Sequence, residues 1–267
     1  MKTISVVIPV YNEEQTIMDV LSSIKRQNIS DIEFEVIIVD DGSIDSTPQL
    51  LTQHSDLYTK NIRLNKNRGK GFAVREGLRE ATGDYVLFQD ADLEYTPDDY
   101  ITLIEPIKMF EADLVIGSRF VAPVYTRVAY FWHKVGNKLI TLLFNIVNNL
   151  TFTDIYSCYI LFKREHIAPD DLITNGWEQQ AELLTKVAKK SKIIYEVPIS
   201  YHGRTYAEGK KIRAHHTITI IYSIIKFKLF SRSKDGNISY TFSGLRRSLD
   251  SIKSKSRILK AWVDKYV

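Results

Sequence analysis

Residues 4–27 read ISVVIPVYNEEQTIMDVLSSIKRQ, and this stretch predicts the fold of the chain. Its first part, Ile4–Val10, is a dense run of β-branched residues that is typical of a buried strand. The following part, Glu13–Gln27, places its apolar residues three and four apart, as on one face of a helix. A buried strand followed at once by a helix is the repeating unit of a mostly parallel sheet.

The same alternation of strand and helix continues along the chain. Further strands are predicted at Glu35–Val39, Asn61–Leu64, Tyr85–Gln89 and Leu114–Ile116, and further helices at Ser46–Gln53, Gly71–Glu80, Pro97–Phe110 and Glu178–Lys190. We therefore expect an α/β fold with helices on both faces of a mostly parallel sheet. Ligands of such sheets bind beyond the carboxyl ends of the strands, so the residues at those ends are the informative ones.

The composition is that of an ordinary globular protein, with 44% hydrophobic and 25% charged residues among 267. These values exclude disorder, collagen-like repeats and coiled coil as the main architecture. The single cysteine, Cys158, excludes an internal disulfide and favours a reducing compartment. The apolar segments Leu139–Leu150 and Ile218–Phe230 are shorter than the roughly 20 residues of a spanning helix, and no signal peptide is evident. A soluble or membrane-surface protein is expected.

The charge is distributed unevenly along the chain. Residues 201–267 hold 15 of the 36 Lys and Arg but only 4 of the 32 Asp and Glu. We predict an α/β domain at 1–213 and an amphipathic, basic helical extension at 214–267. A basic extension on an acidic body favours an anionic membrane surface as partner, and a homo-oligomer contact stays open. Nucleic acid is not expected, because the aromatic residues of the extension are sparse and form no binding motif.

Five polar, acidic or glycine-rich motifs lie at the strand ends or helix starts of this pattern. They are Pro9-Val10-Tyr11-Asn12-Glu13-Glu14, Asp40-Asp41-Gly42-Ser43, Asn67-Arg68-Gly69-Lys70-Gly71, Asp90-Ala91-Asp92-Leu93-Glu94 and Gly117-Ser118-Arg119. Each motif alone is open to a simpler interpretation as a turn or a helix N-cap. Turn chemistry does not explain why all five fall at such positions, which indicates a binding site at one edge of the sheet.

Asp90 and Asp92 are the chemical centre of this set. Two carboxylates that converge past a buried strand repel each other unless a cation lies between them. A hard divalent cation takes carboxylate oxygens together with substrate phosphates, and Glu94 can add a third oxygen. Lys70 offers a cation for a phosphate or for orienting an aspartate. The alternative is that Asp90 only caps the next helix. No P-loop and no Gly-x-Gly-x-x-Gly is present, which weighs against P-loop ATP hydrolysis and dinucleotide binding.

As an ordered set, these motifs resemble those of the family 2 glycosyltransferases, and most closely the dolichol-phosphate mannosyltransferase-like (polyprenyl-phosphate glycosyltransferase) branch. The resemblance continues at 131–138 (FWHKVGNK), at Thr153-Asp154 and at 203–212 (GRTYAEGKKI), and covers about residues 4–213. It implies a GT-A fold, a nucleotide-sugar donor, Mg²⁺ or Mn²⁺ as cofactor, and inversion at the anomeric carbon.

The resemblance also implies roles for individual residues. The donor would be held by Pro9, Tyr11, Asn12, Glu13, Asp40, Asp41, Ser43, Lys70 and Asp90. The metal would be held by Asp90, Asp92 and Glu94, and the acceptor phosphate by Arg119, Arg127 and Arg204. The catalytic residues would be Asp92, Arg119, Asp154 and Arg204. The guanidinium fork of arginine matches the geometry of phosphate, which agrees with the acceptor assignment.

The implied function is transfer of a hexose from GDP-mannose or a UDP-sugar to a polyprenyl or dolichyl phosphate. Such an enzyme would be cytoplasmic and peripheral on the cytoplasmic face of a membrane. A phosphate acceptor is already anionic and needs no general base. The alternative acceptor, a glycan hydroxyl in cell-surface polysaccharide synthesis, needs one, with Asp154, Glu178 and Glu182 as candidates. A non-catalytic nucleotide-sugar-binding module is the alternative of another class, against which the intact Asp90 and Asp92 pair argues.

Two apolar segments are candidates for membrane contact. The first would bury Ile218, Ile221, Tyr222 and Ile225 in the headgroup region, and the second would present Leu139, Leu142, Leu143 and Ile146. The alternative is that both segments pack on the α/β core or at a dimer interface, as apolar helical stripes usually do.

Overall fold

The computed structural model describes residues 1–121, 131–203, 216–232 and 238–240. The strands are β1 (Lys2–Val10), β2 (Ile32–Asp40), β3 (Lys60–Arg63), β4 (Tyr85–Phe88), β5 (Leu114–Ser118), β6 (Ile160–Lys163), β7 (Ile194–Pro198), β8 (Phe230–Arg232) and β9 (Ile238–Tyr240). The helices are α1 (Ile17–Lys25), α2 (Thr47–Gln53), α3 (Lys70–Glu80), α4 (Tyr100–Phe110), α5 (Phe131–Asn148), α6 (Gln179–Lys190) and α7 (His216–Leu229). Two of the predicted acceptor residues, Arg127 and Arg204, lie outside the described residues.

Strands β1 to β7 form one mostly parallel sheet in the order β3-β2-β1-β4-β6-β5-β7. Only β6 runs against its neighbours β4 and β5. The five strands expected from the sequence are confirmed, each within a few residues of its predicted bounds. Strands β6 and β7 and helix α5 were not predicted as elements. The alternation of strand and helix therefore predicts five of the six parallel strands of this sheet, and misses β7 and the reversed strand β6.

Both faces of the sheet are covered, as the near-continuous apolar runs of the strands require. Val6 and Val7 are consecutive in β1, so their side chains point to opposite faces, and both are fully buried. Helix α3 lies so close to Val7 that a Cβ atom at Gly77 would clash with the Cγ1 of that valine. A glycine at this position of α3 allows the close approach of helix and strand.

The first helix begins later than its apolar pattern predicted, at Ile17 instead of Glu13. Asn12, directly before Glu13, adopts a left-handed backbone with φ of 53°, and residues 14–16 form a turn. The backbone N–H of Glu13 donates a hydrogen bond to Oγ1 of Thr47, at 3.0 Å, and the Glu13 carbonyl accepts from the N–H of Ile17, also at 3.0 Å. The segment before the helix is thus fixed by a contact with α2 that the local sequence does not reveal.

The chain divides into two compact units, Met1–Ile224 and Ile225–Val267. The first holds the seven-stranded sheet, and in the second β8 and β9 pair as an antiparallel hairpin. In α7, Ile220 and Ile224 belong to the buried core cluster, whereas Tyr222 is 64% exposed. The described part of the chain holds no helix that is both long and apolar enough to cross a bilayer. The predicted boundary at 213/214 stays a prediction.

Candidate active site

The loops after β1 and β2 are locked together at the carboxyl edge of the sheet. The backbone N–H of Asn12 donates to Oγ of Ser43, at 2.9 Å, and Oδ1 of Asn12 accepts from the N–H of Ile44, also at 2.9 Å. Asn12 and Ser43, both predicted to hold the donor, therefore join the two loops, and their donor role stays a prediction. Pro9 and Tyr11 lie half-buried at the end of β1 beside them.

The two aspartates that end β2 have different surroundings. Asp40 is fully buried, and its Oδ1 accepts from the N–H of Ser43 at 2.8 Å. Among the described residues its Oδ2 has no hydrogen-bond partner, and the nearest cation is Nε of Arg63, at 3.6 Å. A buried carboxylate oxygen without a partner is costly, which indicates a ligand that donates a hydrogen bond there. Arg63 also lines a cleft of about 260 Å³ whose other basic residues are Lys66 and Arg68.

The second carboxylate, Asp41, fixes the glycine-rich turn before α3. Its two oxygens accept from the backbone N–H groups of Arg68 and Gly69, both at 2.8 Å. Burial raises the pKa of Asp41, although these two hydrogen bonds oppose the rise. Gly69 has a φ of 94°, and a Cβ atom there would lie 2.7 Å from the carbonyl oxygen of Asn175. Only glycine fits this turn without strain.

The glycine-rich turn before α3 places Lys70 beside Asp90. The Lys70 ammonium forms an ion pair and a hydrogen bond with Oδ1 of Asp90. Burial disfavours the charged lysine, but the Asp90 carboxylate outweighs burial and raises the pKa of Lys70. The indole ring of Trp177 lies 5.8 Å from the same ammonium group. Lysine 70 therefore stays protonated beside the carboxylate predicted to bind the donor and the metal.

Asp92 and Glu94 follow Asp90 in the same segment. Oδ1 of Asp92 accepts from the backbone N–H of Glu94 at 3.1 Å, and Oε2 of Glu94 accepts from the hydroxyl of Tyr201 at 3.2 Å. In the described ranges no three His, Cys, Asp or Glu side chains converge on one metal position. The structure thus brings Asp90 and Asp92 to the edge of the sheet, while Glu94 contacts Tyr201. The metal assignment of these three residues stays a prediction.

Arg119 and Asp154 form a buried pair where β5 ends. Nε and Nη2 of Arg119 donate to the two oxygens of Asp154, at 2.6 and 2.9 Å. Asp154 is 0% exposed and also accepts from Nδ2 of Asn137, at 3.0 Å. Burial opposes its ionisation, but the Arg119 guanidinium outweighs burial and lowers the pKa of Asp154. The two residues, predicted as separate catalytic groups, act as one unit.

The direction of β6 explains how Asp154 reaches Arg119. Because β6 runs against β4 and β5, the residues before it, not those after it, lie at their carboxyl ends. The backbone N–H groups of Thr153 and Asp154 donate to the Glu196 carboxylate at 2.9 and 3.1 Å, which fixes this segment. Asn137 and Glu196 are site residues that sequence reasoning missed. Asn137 lies in the quoted stretch 131–138, whereas nothing local singles out Glu196.

Glu182, one of the three candidate bases, has a structural position. It is fully buried and accepts from the backbone N–H groups of Ile173 and Thr174, at 3.1 and 2.9 Å. Lys186 pairs with the same carboxylate at 2.5 Å. Its oxygens thus hold the loop that packs on Gly69. Glu178, the second candidate, lies half-buried at the start of α6.

The fold and this site define a class of protein. The sequence profile of Glycosyl transferase family 2 matches residues 5–168, and the chain belongs to this family. The described fold is like that of the glucosyl-3-phosphoglycerate synthase of Mycobacterium tuberculosis, solved with Mn²⁺, uridine diphosphate and phosphoglyceric acid. The TM-score is 0.64 at 21% identity, over 85% of this chain and 78% of that one. The predicted GT-A fold is confirmed.

Individual relatives point to one branch of the family. The chain is 32% identical over 210 residues to the dolichol-phosphate mannosyltransferase of Pyrococcus furiosus, which covers 78% of this chain and 58% of that enzyme. It is 29% identical over 211 residues to the undecaprenyl-phosphate 4-deoxy-4-formamido-L-arabinose transferase of Proteus mirabilis, covering 78% and 62%. The chain thus spans about three fifths of the length of these two relatives. The resemblance to the dolichol-phosphate mannosyltransferase-like branch is confirmed.

Proposed function

We propose that the protein is an inverting glycosyltransferase that moves a hexose from a nucleotide sugar to a polyprenyl phosphate. The observation that carries the proposal is the buried Arg119–Asp154 pair, which holds a guanidinium group at the carboxyl edge of β5. Asp154 engages Nε and Nη2 of Arg119, and Nη1 is not part of this pair. A guanidinium whose orientation is fixed in this way suits a phosphate better than a flexible surface arginine does.

The donor half rests on the loops after β1 and β2. The unpartnered Oδ2 of Asp40 is placed to accept a hydrogen bond from a ring N–H of a nucleobase. Uracil and guanine both carry such an N–H group, which keeps a UDP-sugar and GDP-mannose as the donor candidates. Lys66 and Arg68 line the cleft beside Asp40, and their positive charges suit the phosphates of a nucleoside diphosphate.

Asp90 and Asp92 fit a divalent cation, Mg²⁺ or Mn²⁺. Two carboxylates completed by substrate phosphates are a usual protein site for Mg²⁺, and Glu94 is the further candidate ligand. When bound, such an ion supplies positive charge that offsets the charge of the leaving nucleoside diphosphate. Lys70, paired with Asp90, holds a second positive charge at the same place.

Transfer of the hexose to an anionic phosphate then requires no general base from the protein. An anionic phosphate oxygen of the acceptor attacks the anomeric carbon, and the bond from that carbon to the diphosphate oxygen breaks. The nucleoside diphosphate leaves with the bonding electron pair, and Arg119 orients the attacking phosphate. The carboxylates of Asp154 and Glu182 are committed to Arg119 and to backbone N–H groups, which argues against their use as bases for a hydroxyl acceptor.

A panel of donors and acceptors tests the proposal. GDP-mannose, UDP-glucose and UDP-N-acetylglucosamine are each offered with a polyprenyl phosphate, the matching polyprenol and a glycan, with and without Mn²⁺. We expect transfer to the phosphate alone, and Glu178→Gln should retain it. Transfer to the glycan that is lost in Glu178→Gln would establish the hydroxyl alternative. Donor binding without any transfer would establish the non-catalytic alternative.

We also propose that the enzyme works on the cytoplasmic surface of a membrane, where such an acceptor presents its phosphate. The outward face of α5 carries Leu139, Leu142 and Ile146, which are 61%, 54% and 66% exposed. The same helix supplies Asn137 to the Arg119–Asp154 pair, so this apolar face and the acceptor site share one rigid element. An amphipathic helix of this kind can lie in the headgroup region.

Co-sedimentation with anionic vesicles at low salt tests the membrane contact. The triple variant Leu139→Gln/Leu142→Gln/Ile146→Gln should lose most of the binding. A control, Ile101→Gln/Met109→Gln, replaces equally exposed apolar residues of α4 and should bind as the parent chain does. Equal binding by all three proteins would show that α5 is not the contact surface.

A further inference from the structure

The segment 199–203 is tied to both halves of the candidate site. The backbone N–H of Ile199 donates to the carbonyl of Ser118, at 3.2 Å, beside Arg119. The N–H of Ser200 donates to Oδ2 of Asp99 at 2.7 Å, and the N–H of His202 donates to the carbonyl of Glu94 at 2.9 Å. The segment therefore joins the end of β5 to the segment that follows Asp92.

Tyr201 lies at the centre of this connection. Its hydroxyl donates to Oε2 of Glu94 at 3.2 Å. Its ring lies 5.0 Å from the guanidinium carbon of Arg119, within the range of a cation–π interaction. The ring also packs beside the ring of Tyr95, at 5.2 Å between centroids. One side chain thus contacts the acidic segment after β4 and the arginine assigned to the acceptor phosphate.

We propose that Tyr201 is a positioning residue that couples the donor side of the site to the acceptor side. The inference rests on the proposed function. A shift of Glu94 when donor binds is passed through the Tyr201 hydroxyl to the ring, and from the ring to Arg119. Donor binding then improves the orientation of Arg119 for the acceptor phosphate, and acceptor binding improves donor affinity by the same factor.

The contacts of Tyr201 also suit a merely structural role, and the two roles differ in what they predict. If Tyr201 is only structural, Tyr201→Phe lowers the unfolding temperature, and the effect of the nucleotide on farnesyl phosphate binding stays as in the parent chain. If Tyr201 couples the two sides, Tyr201→Phe loses the effect of one ligand on the other, because phenylalanine keeps the ring beside Arg119 but removes the hydroxyl that interacts with both Glu94 and Arg119. Tyr58→Phe is the matched control, since the Tyr58 hydroxyl donates to the carbonyl of Leu51 at 2.9 Å, within the α2 region.

The experiment measures the affinity of the full chain for farnesyl phosphate by calorimetry, with and without saturating UDP or GDP and Mn²⁺. In the parent chain and in Tyr58→Phe we expect the nucleotide to tighten farnesyl phosphate binding about three- to tenfold, the range set by one hydrogen bond. In Tyr201→Phe we expect that gain to fall to less than twofold, measured against the affinity of the same variant for farnesyl phosphate without nucleotide.

The outcomes separate this inference from the proposed function. If Tyr201→Phe retains the full gain, or if the parent chain shows no gain, Tyr201 does not couple the two sides. If the parent chain shows the gain and Tyr201→Phe loses it, but no hexose is transferred to any phosphate, the coupling stands and the proposed reaction fails. If the parent chain does not bind farnesyl phosphate at all, the acceptor assignment fails and the coupling fails with it.

Discussion

Replacing Asp154 by asparagine distinguishes two roles for this residue, that of a general base and that of the anchor of Arg119. The asparagine side chain keeps the shape of the aspartate but removes its charge, which leaves the Arg119 guanidinium buried without a counterion. The loss of unfolding free energy should be large, because Asp154 is 0% exposed and Nε and Nη2 of Arg119 donate to it at 2.6 and 2.9 Å. Breaking a buried pair of this kind costs about 3 to 5 kcal/mol of unfolding free energy.

The assay measures the thermal unfolding midpoint and the steady-state kinetics of Asp154→Asn and of the parent chain. For a compact unit of this size, each kcal/mol shifts the midpoint by about 2 to 4 °C, so Asp154→Asn should lower it by about 6 to 20 °C. The KM for the acceptor should rise, because Arg119 is no longer held. Lys25→Met, which breaks the solvent-exposed pair with Asp56, is the control and should leave the midpoint unchanged.

A double variant sharpens the comparison. Arg119→Met/Asp154→Leu removes both charges and should unfold at a higher temperature than Asp154→Asn alone, since a buried pair is often replaced by apolar groups at little cost. It should remain unable to use the phosphate acceptor. The anchoring argument would be refuted if Asp154→Asn unfolded like the parent chain and kept its acceptor KM while kcat was lost, because that pattern belongs to a general base.

Three further predictions concern the other half of the site and the core. Asp90→Asn and Asp92→Asn should each abolish transfer, and near-normal turnover in both would exclude the metal assignment. Asp92→Asn should leave thermal unfolding near that of the parent chain, whereas Asp90→Asn removes the partner of Lys70 and should lower the midpoint. Gly69→Ala should weaken donor binding about tenfold or more, as a backbone with φ of 94° and no room for a Cβ atom must shift, and unchanged donor affinity would show the turn to be irrelevant. Burial opposes ionisation of Asp113, but the Lys163 ammonium and two backbone N–H groups outweigh it and lower the pKa to about 2. Because that pKa is depressed from about 3.9 in the unfolded chain, the stabilisation is present above pH 4 and is lost as pH falls towards 2. Acid unfolding curves of Asp113→Asn and the parent chain should therefore converge below pH 2, and a constant separation down to that pH would contradict the assignment.

The parallel strands and the loops at their ends could be predicted from the sequence because both are local signals. A β-branched run such as Ile4–Val10 forms a buried strand wherever it lies in the sheet, and the motif after it then falls at the carboxyl edge. The predicted ends of helices and strands are wrong where tertiary contacts override the local sequence pattern, as at the start of α1. There the apolar spacing extends the helix to Glu13, but the helix begins at Ile17, and the segment before it is bonded to Ser43 and Thr47.

The residue pairs of the proposed acceptor side could not be predicted from the sequence. Arg119 and Asp154 are 35 residues apart, and only the reversed strand β6 brings them together. Four residues, Ile160–Lys163, form that strand, and a run this short carries no information on its direction. The assignments of Arg127 and Arg204 fall outside the described residues and stay predictions.

The proposed donor and acceptor halves of the site therefore differ in how far apart in the sequence their contacting residues lie. The donor half is made of segments that directly follow parallel strands, so its residues are close in sequence to the elements that place them, as Asp40 and Asp41 are to β2. The acceptor half is made of contacts over long sequence distances, such as Asn137 with Asp154 and Tyr201 with Glu94. A substitution in the donor half changes a local motif, which a sequence comparison detects. A substitution at Glu196 or Tyr201 lies outside every motif quoted from the sequence but changes a contact of the Arg119–Asp154 pair. Such positions are where we expect enzymes of this fold to change acceptor.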